Sequence, residues 1–429
     1  MLSTFIDGSP EFVQALAKLQ ARGDSDLGRV EGVVREVLDA VRARGDEAVL
    51  AYVERFERRA PRSLVLRDFD GEGALGRLPA EARAALELAA DRIRRFHERE
   101  REPGFSYSED GVTLGLRVRP LARVGVYAPG GKARYPSSVL MSAVPAKVAG
   151  VTDVILATPL AGDASDDALL AAAYLSGITT ILDAGGAQAI AAMAYGTASL
   201  PRVDKIVGPG NLYVACAKRM VYGAVAIDSI AGPSEILVVA DETADARHVA
   251  ADLLSQAEHD EDAYPLLLCT SADFARAVAA EVERQLSTLP KERTARTAVE
   301  RQGAAFVVSG RDRLAEVADA VAAEHLSLQV AEPERLLERI GSAGAAFLGG
   351  LTPEAAGDYV AGPSHVLPTG GAVRFGSPLG VYDFVTRTSV LRYSAEALEG
   401  QGGAICALAR LEGLEAHARA VEVRVRERE

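Results

Sequence analysis

Four of the six histidines in this 429-residue chain stand beside groups that could share their chemistry. Gln256 and His259 lie three apart in Leu253-Leu254-Ser255-Gln256-Ala257-Glu258-His259-Asp260, and Glu324 is followed directly by His325. Asp358 precedes His365 by seven residues, and Glu412 precedes His417 by five. An amide oxygen and an imidazole on one helical face can begin a metal site, but zinc usually takes four ligands. Asp358, flanked by glycine and proline, offers a hard carboxylate from what reads as a loop, and His417 a nitrogen from a charged terminal helix. The Glu324-His325 pair suits proton transfer near neutrality. Neighbouring side chains diverge in helices and strands, so both reach one substrate only at an element's end. A competing reading has His325 answering a helix dipole. His97 and His248 read as structural, and Arg94 to Glu102 as a solvated charged face.

The elements that must position these groups follow from periodicity. Up to about Phe105 the chain reads as helical, over Glu11 to Gln20, Leu27 to Arg44, Asp46 to Phe56 and Pro79 to Glu102. From there short β-rich runs (Val124 to Tyr127, Val154 to Ala157, Thr179 to Leu182, Val203 to Val207, Glu235 to Ala240) alternate with helical ones. The alternation continues through strands Tyr264 to Cys269 and Ala305 to Val308, and helices Ala244 to Glu258, Ala272 to Leu286 and Arg313 to Ala322. This is the pattern of α/β parallel sheets covered by helices. A last helix is expected over Leu408 to Arg428. Glycine-rich loops adjoin the strands: Tyr127-Ala128-Pro129-Gly130-Gly131-Lys132, Ala184-Gly185-Gly186-Ala187-Gln188, Gly208-Pro209-Gly210-Asn211 and Ala231-Gly232-Pro233-Ser234-Glu235. Such loops let backbone amides approach a phosphate at a helix start, although the third glycine of GxGxxG is missing after Gly210.

Composition bounds the function. Lys+Arg 47 against Asp+Glu 60 gives a net charge of −13, which disfavours a nucleic-acid surface. The apolar runs are far shorter than the roughly 20 residues of a membrane span, and the start shows no secretory leader, so the expected place is the cytoplasm. Cys216, Cys269 and Cys406 show no CxxC spacing and read as small core residues.

In order and spacing, the segments Val203–Asn211, Ala231–Asp241, Asp252–Asp260, Glu324–Leu326, Asp358–Thr369 and Glu412–His417 resemble the histidinol dehydrogenase family. The likeness runs from about Arg44 to the C-terminus. It implies a zinc enzyme oxidising L-histidinol to L-histidine in two NAD-dependent steps through a bound aldehyde, the last reaction of histidine biosynthesis. Gln256, His259, Asp358 and His417 would hold one zinc per subunit, and Glu324 and His325 would accept protons. Ser234, Gln256, His259, His325, Asp358, His365, Glu412 and His417 would line the substrate, and Tyr127, Gln188 and Asn211 would contact NAD. The implied fold is two incomplete Rossmann-like domains in a homodimer with shared active sites. Its parts would be an arm (1–25), a discontinuous first domain (26–126 and 235–380), a second domain (127–234) and a tail (381–429) crossing to the partner. Ser327, Ser364 and Ala323 depart from the family pattern. A zinc hydrolase using Glu324, or a non-catalytic binding homologue, are the competing classes, and the glycine loops with Tyr127, Gln188 and Asn211 speak against the hydrolase.

Overall fold

The computed structural model describes residues 2–23, 27–130 and 135–426. Gly131 and Lys132 of the first glycine loop, the join of the expected arm to the first domain, and residues 427–429 of the tail lie outside these. The chain begins β1 (Ser3–Ile6), α1 (Pro10–Gln20), α2 (Gly28–Arg44), α3 (Asp46–Tyr52), β2 (Val65–Leu66), α4 (Gly71–Arg77) and α5 (Ala80–His97). Next come β3 (Phe105–Glu109), β4 (Val112–Pro120), β5 (Arg123–Tyr127), α6 (Pro136–Ala149), β6 (Asp153–Ala157), α7 (Asp167–Leu175), β7 (Thr180–Leu182) and α8 (Gly186–Tyr195). Then follow β8 (Lys205–Val207), α9 (Leu212–Val221), β9 (Ala226–Ile227), β10 (Glu235–Ala240), α10 (Ala246–Ala257), β11 (Tyr264–Cys269), α11 (Ala272–Leu286), α12 (Glu292–Gln302) and β12 (Ala304–Val307). The last stretch is α13 (Arg311–Val321), β13 (His325–Gln329), α14 (Pro333–Leu337), β14 (Ala345–Leu348), α15 (Glu354–Tyr359), β15 (Val385–Tyr393), α16 (Ala395–Leu411) and α17 (Glu415–Arg426).

Two compact units result, Met1–Glu100 with Ala122–Phe384, and Arg101–Leu121 with Val385–Glu429. The first holds two six-stranded sheets, ordered β1-β12-β11-β10-β13-β14 and β2-β7-β6-β5-β8-β9. All pairings in them are parallel except β2 with β7. In the first sheet, successive residues of β10 serve opposite faces. Ile236, Val238 and Ala240 pack with residues of α10, α11 and α12, while Leu237 and Val239 pack with Phe12, Leu314 and Val317. Burial on both sides explains why these strands read as unbroken apolar runs.

The segments sort between the sheets differently from the expected grouping of 26–126 with 235–380. β5 is a central strand of the second sheet. Val30, Val34, Val37, Leu38 and Val41 form a helical stripe buried with Ile190, Ile206 and Val214, so α2 also belongs there. The arm supplies β1, which pairs with β12 through Ser3↔Ala304 to Ile6↔Val307. His97 is fully buried rather than on a solvated face, its Nδ1 2.7 Å from Glu100 Oε2. All three cysteines are buried.

The second unit is the antiparallel sheet β15-β4-β3, followed by α16 and α17 packed together around Cys406, Ala409 and Ala418. The single expected terminal helix is broken at Glu412-Gly413-Leu414, where Gly413 takes φ +75°. Only glycine does so cheaply. No helix among the described residues is long and apolar enough to cross a membrane.

Candidate active site and metal centre

The site grows from the register of two neighbouring strands. Pairing of Ile236 with His325 puts Glu235, at the start of β10, beside Glu324, just before β13. The two glutamates cap one another: the Glu235 N–H donates to Glu324 Oε2 at 2.8 Å, and the Glu324 N–H to Glu235 Oε2 at 3.3 Å. The acidic-basic pair thus falls at an element's end, preceded by Ala322 in the left-handed region at φ +49°. The His325 Nδ1–H donates to the Glu235 carbonyl at 2.9 Å. A carbonyl can only accept, so Nδ1 carries the proton and Nε2 is left for chemistry. Burial raises the Glu324 pKa despite the opposing charge of His325. Burial alone would lower His325, but Glu324, Glu354 and Asp358 outweigh it and lift it to about 10.

Gln256 occupies the last turn of α10 and is fully buried, with its Nε2 3.4 Å from His325 Nδ1. His259 falls just beyond that helix, its N–H bonded to the Gln256 carbonyl. The residue as a whole is exposed, yet burial of the ring among protein atoms holds its pKa below the usual value, against the pull of Asp358. Asp358 is not in a loop: it lies on the short helix α15, one turn after Glu354, which therefore shares its face. His325, Glu354 and Asp358 each offer one ligand atom, all within 4.8 Å of one another. His325 Nε2 is 3.5 Å from Glu354 Oε1 and 4.0 Å from Asp358 Oδ1. His365 donates from Nδ1 to the Asp358 carbonyl at 3.1 Å. Burial would raise Asp358, but the hydrogen bond from His365 and the charges of His365, His325 and His259 bring it down to about 2. Burial and then the Asp358 charge raise Glu354 to about 8, although Ser255 donates to it at 3.0 Å. Two buried oxygens here, Gln256 Oε1 and Glu354 Oε1, have no hydrogen-bond partner among the described residues. Orphaned acceptors beside an ionised carboxylate and two imidazoles are a donor set that fits a divalent cation.

The cofactor-side candidates lie at the carboxyl ends of the second sheet's strands. Tyr127 is buried, its hydroxyl accepts from the Gly186 N–H at 3.0 Å, and burial pushes its pKa up to about 12. Gln188 donates from Nε2 to Glu57 Oε1 at 3.1 Å, and that same oxygen accepts from the Gly185 N–H at 2.9 Å. Asn211 caps α9, accepting from the Tyr213 and Val214 N–H groups, both at 3.1 Å. The Gly208 N–H goes to Asp228, and the Gly232 N–H to Thr369. The glycine loops therefore do not present these amides to a phosphate, because protein side chains already hold them. Glycine is needed for close packing instead: a Cβ on Gly208 would lie 2.2 Å from the Tyr127 carbonyl.

Ser234 is half-buried just before β10, its carbonyl accepting from the Tyr264 N–H at 2.9 Å. Glu412 and His417 belong to the second unit, at the elbow between α16 and α17 and in the first turn of α17. Ser364 Oγ donates to the Met141 carbonyl at 3.0 Å, and Ser327 lies 3.4 Å from Gln329 Nε2, which also holds Asp252. Sequence reasoning missed Glu354, although its four-residue spacing to Asp358 was a usable signal, and Glu57, for which there was none.

The family model of histidinol dehydrogenase matches residues 20–425. The histidinol dehydrogenase of Syntrophotalea carbinolica is 51% identical over 420 residues, covering 97% of each chain. That of Geobacter sulfurreducens is 51% identical over 419 residues, covering 97% of this chain and 98% of its own. The crystal structure of histidinol dehydrogenase from Elizabethkingia anophelis superposes with a TM-score of 0.93 at 34% identity, over 99% of this chain and 98% of that one. By sequence and by fold, the chain belongs to the histidinol dehydrogenase family of oxidoreductases.

Proposed function

We propose that the protein oxidises L-histidinol to L-histidine in two NAD-dependent steps at a zinc site, the last reaction of histidine biosynthesis. The observation that carries this reading is the buried Gln256 carboxamide, its oxygen unpartnered and its nitrogen 3.4 Å from His325 of the cluster formed with Glu354 and Asp358. Gln256, His259 and Asp358 would hold the metal, with Glu412 and His417 completing the site from the tail of a second copy. Exposed Leu391, Leu408 and Leu411 on the second unit support association of two copies. Bound zinc would orient the substrate's nitrogens and, as a positive charge beside Asp358, let His325 release its proton nearer neutrality. NAD, against Tyr127, Gln188 and Asn211, would accept the hydride of each oxidation.

The chain's own residues do the rest. Its Nδ1 fixed by the Glu235 carbonyl, His325 turns Nε2 toward the substrate and takes the alcohol proton as the carbon loses hydride. Glu324, held by the Glu235 N–H, takes a proton from the water that adds to the aldehyde carbon, and His325 returns its first proton to the aldehyde oxygen. His325 then takes a hydroxyl proton of the resulting hydrate as the second hydride leaves. Ser234 and His365 line the substrate. None of Cys216, Cys269 or Cys406 falls in the site's motifs, which favours water over a thiol as nucleophile.

The test is NADH absorbance on adding L-histidinol and NAD to the zinc-loaded protein. Two NADH per histidinol are expected. One equivalent, or none, refutes the reading, and metal-dependent hydrolysis without NAD would favour the hydrolase class.

A further inference from the structure

Arg22, just past the end of α1, runs inward until its side chain is only 1% exposed, as is that of Glu235, which it meets. The contact is two-pronged, Nε to Oε1 at 2.7 Å and Nη2 to Oε2 at 2.6 Å. The same guanidinium donates to the Leu19 carbonyl at 2.7 Å and to the Ala322 carbonyl at 3.2 Å. It therefore grips the left-handed residue two places before Glu324. The Glu235 carboxylate in turn accepts from the Gly370 N–H at 2.8 Å, in the loop that continues from His365. Gly23, next to Arg22, packs so tightly there that a Cβ on it would lie 2.5 Å from the Gly370 carbonyl.

A buried ion pair is a poor way to gain stability, because desolvation offsets most of the attraction. What this pair gains is geometry. Arginine's planar fork fixes both carboxylate oxygens, a task that lysine's point charge cannot perform. With the Glu235 side chain fixed, its backbone N–H and its carboxylate hold Glu324 at the carboxyl and at the backbone N–H.

We propose that Arg22 and Glu235 are positioning residues: a buried strut from the N-terminal arm that sets the Glu324 carboxylate in place for the aldehyde-oxidising step. The inference rests on the reading of Glu324 given above. Neither residue touches the reacting atoms; both act through Glu324 and the backbone around it.

Three variants test it in the zinc-loaded protein: Arg22→Met, the charge-free double variant Arg22→Met/Glu235→Gln, and Glu324→Gln as reference. Zinc content, circular dichroism, the rates of histidinol and histidinal oxidation, and the aldehyde trapped by semicarbazide are measured. The strut variants are expected to keep zinc and to lose about 10- to 100-fold in histidinal oxidation, the loss that a displacement of about an ångström brings. Histidinol oxidation should change less than threefold, with NADH per histidinol falling toward one as aldehyde escapes. Should Arg22→Met not fold, leaving Glu235 charged and alone, the double variant decides. A folded, zinc-loaded double variant with wild-type rates in both steps overturns the proposal. So does an equal loss in both steps together with zinc, which marks a merely structural role. If Glu324→Gln separates the steps and the strut variants do not, only the strut falls. If Glu324→Gln fails to separate them, the reading of Glu324 falls and takes the strut with it.

Discussion

Removing the Glu57 carboxylate should weaken cofactor binding while sparing the substrate side. Glu57 ends a turn of π-helix, Val53–Glu57, after α3, with its side chain 15% exposed. One oxygen accepts from the Gly185 N–H and from Gln188 Nε2, and the other from Arg59 at 2.8 and 2.6 Å. In Glu57→Ala the Gly185 N–H and the buried Gln188 amide both lose their acceptor. Each orphaned donor costs about 1–2 kcal/mol, so roughly 2–4 kcal/mol of stability goes. Arg59 keeps its ion pair with Asp183 at 2.6 Å, and so adds little to that sum. A thermal melt should fall by a few degrees, well short of unfolding at 25 °C. The freed Gln188 carboxamide then meets NAD in several rotamers. Losing one fixed hydrogen bond, about 1–2 kcal/mol, raises the NAD KM roughly 5- to 30-fold. The histidinol KM, kcat at saturating NAD and zinc content should hold within a factor of two. Steady-state kinetics with each substrate varied in turn, on protein shown folded by circular dichroism, makes the measurement. An unchanged NAD KM in the folded variant would refute the argument, and a parallel loss of zinc would show that the two halves of the site are not laid out as described.

Two further outcomes follow from buried groups. Gln256→Leu removes the unpartnered oxygen at nearly constant volume, so the metal-free variant should melt at or above the metal-free wild type. Zinc at a thousand times its Kd should add about 4 kcal/mol to the wild type but little to the variant, and equal zinc stabilisation in both would remove Gln256 from the ligand set. Asp252, pushed up to about 6 chiefly by burial, holds its proton more tightly folded than unfolded. Stability linked to it is therefore present below about pH 4 and lost as pH rises toward 6, by about 3 kcal/mol for a shift of about two units. The stability of Asp252→Asn relative to wild type should climb across that window in urea titrations and then level off. A flat difference would mean that Asp252 ionises freely.

Periodicity made most of the sheet strands and major helices legible, because two-sided burial writes itself as unbroken apolar runs such as Ile236 to Ala240. It could not show which strands neighbour one another. β5 reads the same in either sheet, and only its pairing with β6 and β8 assigns it. The antiparallel sheet of the second unit escaped because β3 is exposed at every position, leaving no alternation to detect. α15 escaped because it is short and ends in a glycine- and proline-bearing turn, so Asp358 read as a loop residue and Glu354 vanished. At Gly208 glycine marks close backbone approach, and what approaches there is the Tyr127 carbonyl.

The electrostatics of the site support the proposed cation. Glu324, Glu354 and Asp358 all act on His325, while His259 and His365 act on Asp358. Arg22 is already committed to Glu235, where its two-pronged contact is complete. What remains is protonation. Glu354 is lifted to about 8 and Glu324 is raised, so the cluster lowers its charge by keeping protons that carboxyls ordinarily lose. Such a cluster is a poor base as it stands, since its histidine is charged and one of its acids neutral near pH 7. A divalent charge against Asp358 and the Gln256 oxygen would replace those protons and leave His325 and Glu324 able to accept. On the proposed reading this acidity would favour a bound cation, and the register that sets Glu235 beside Glu324 holds the Glu324 carboxylate in line.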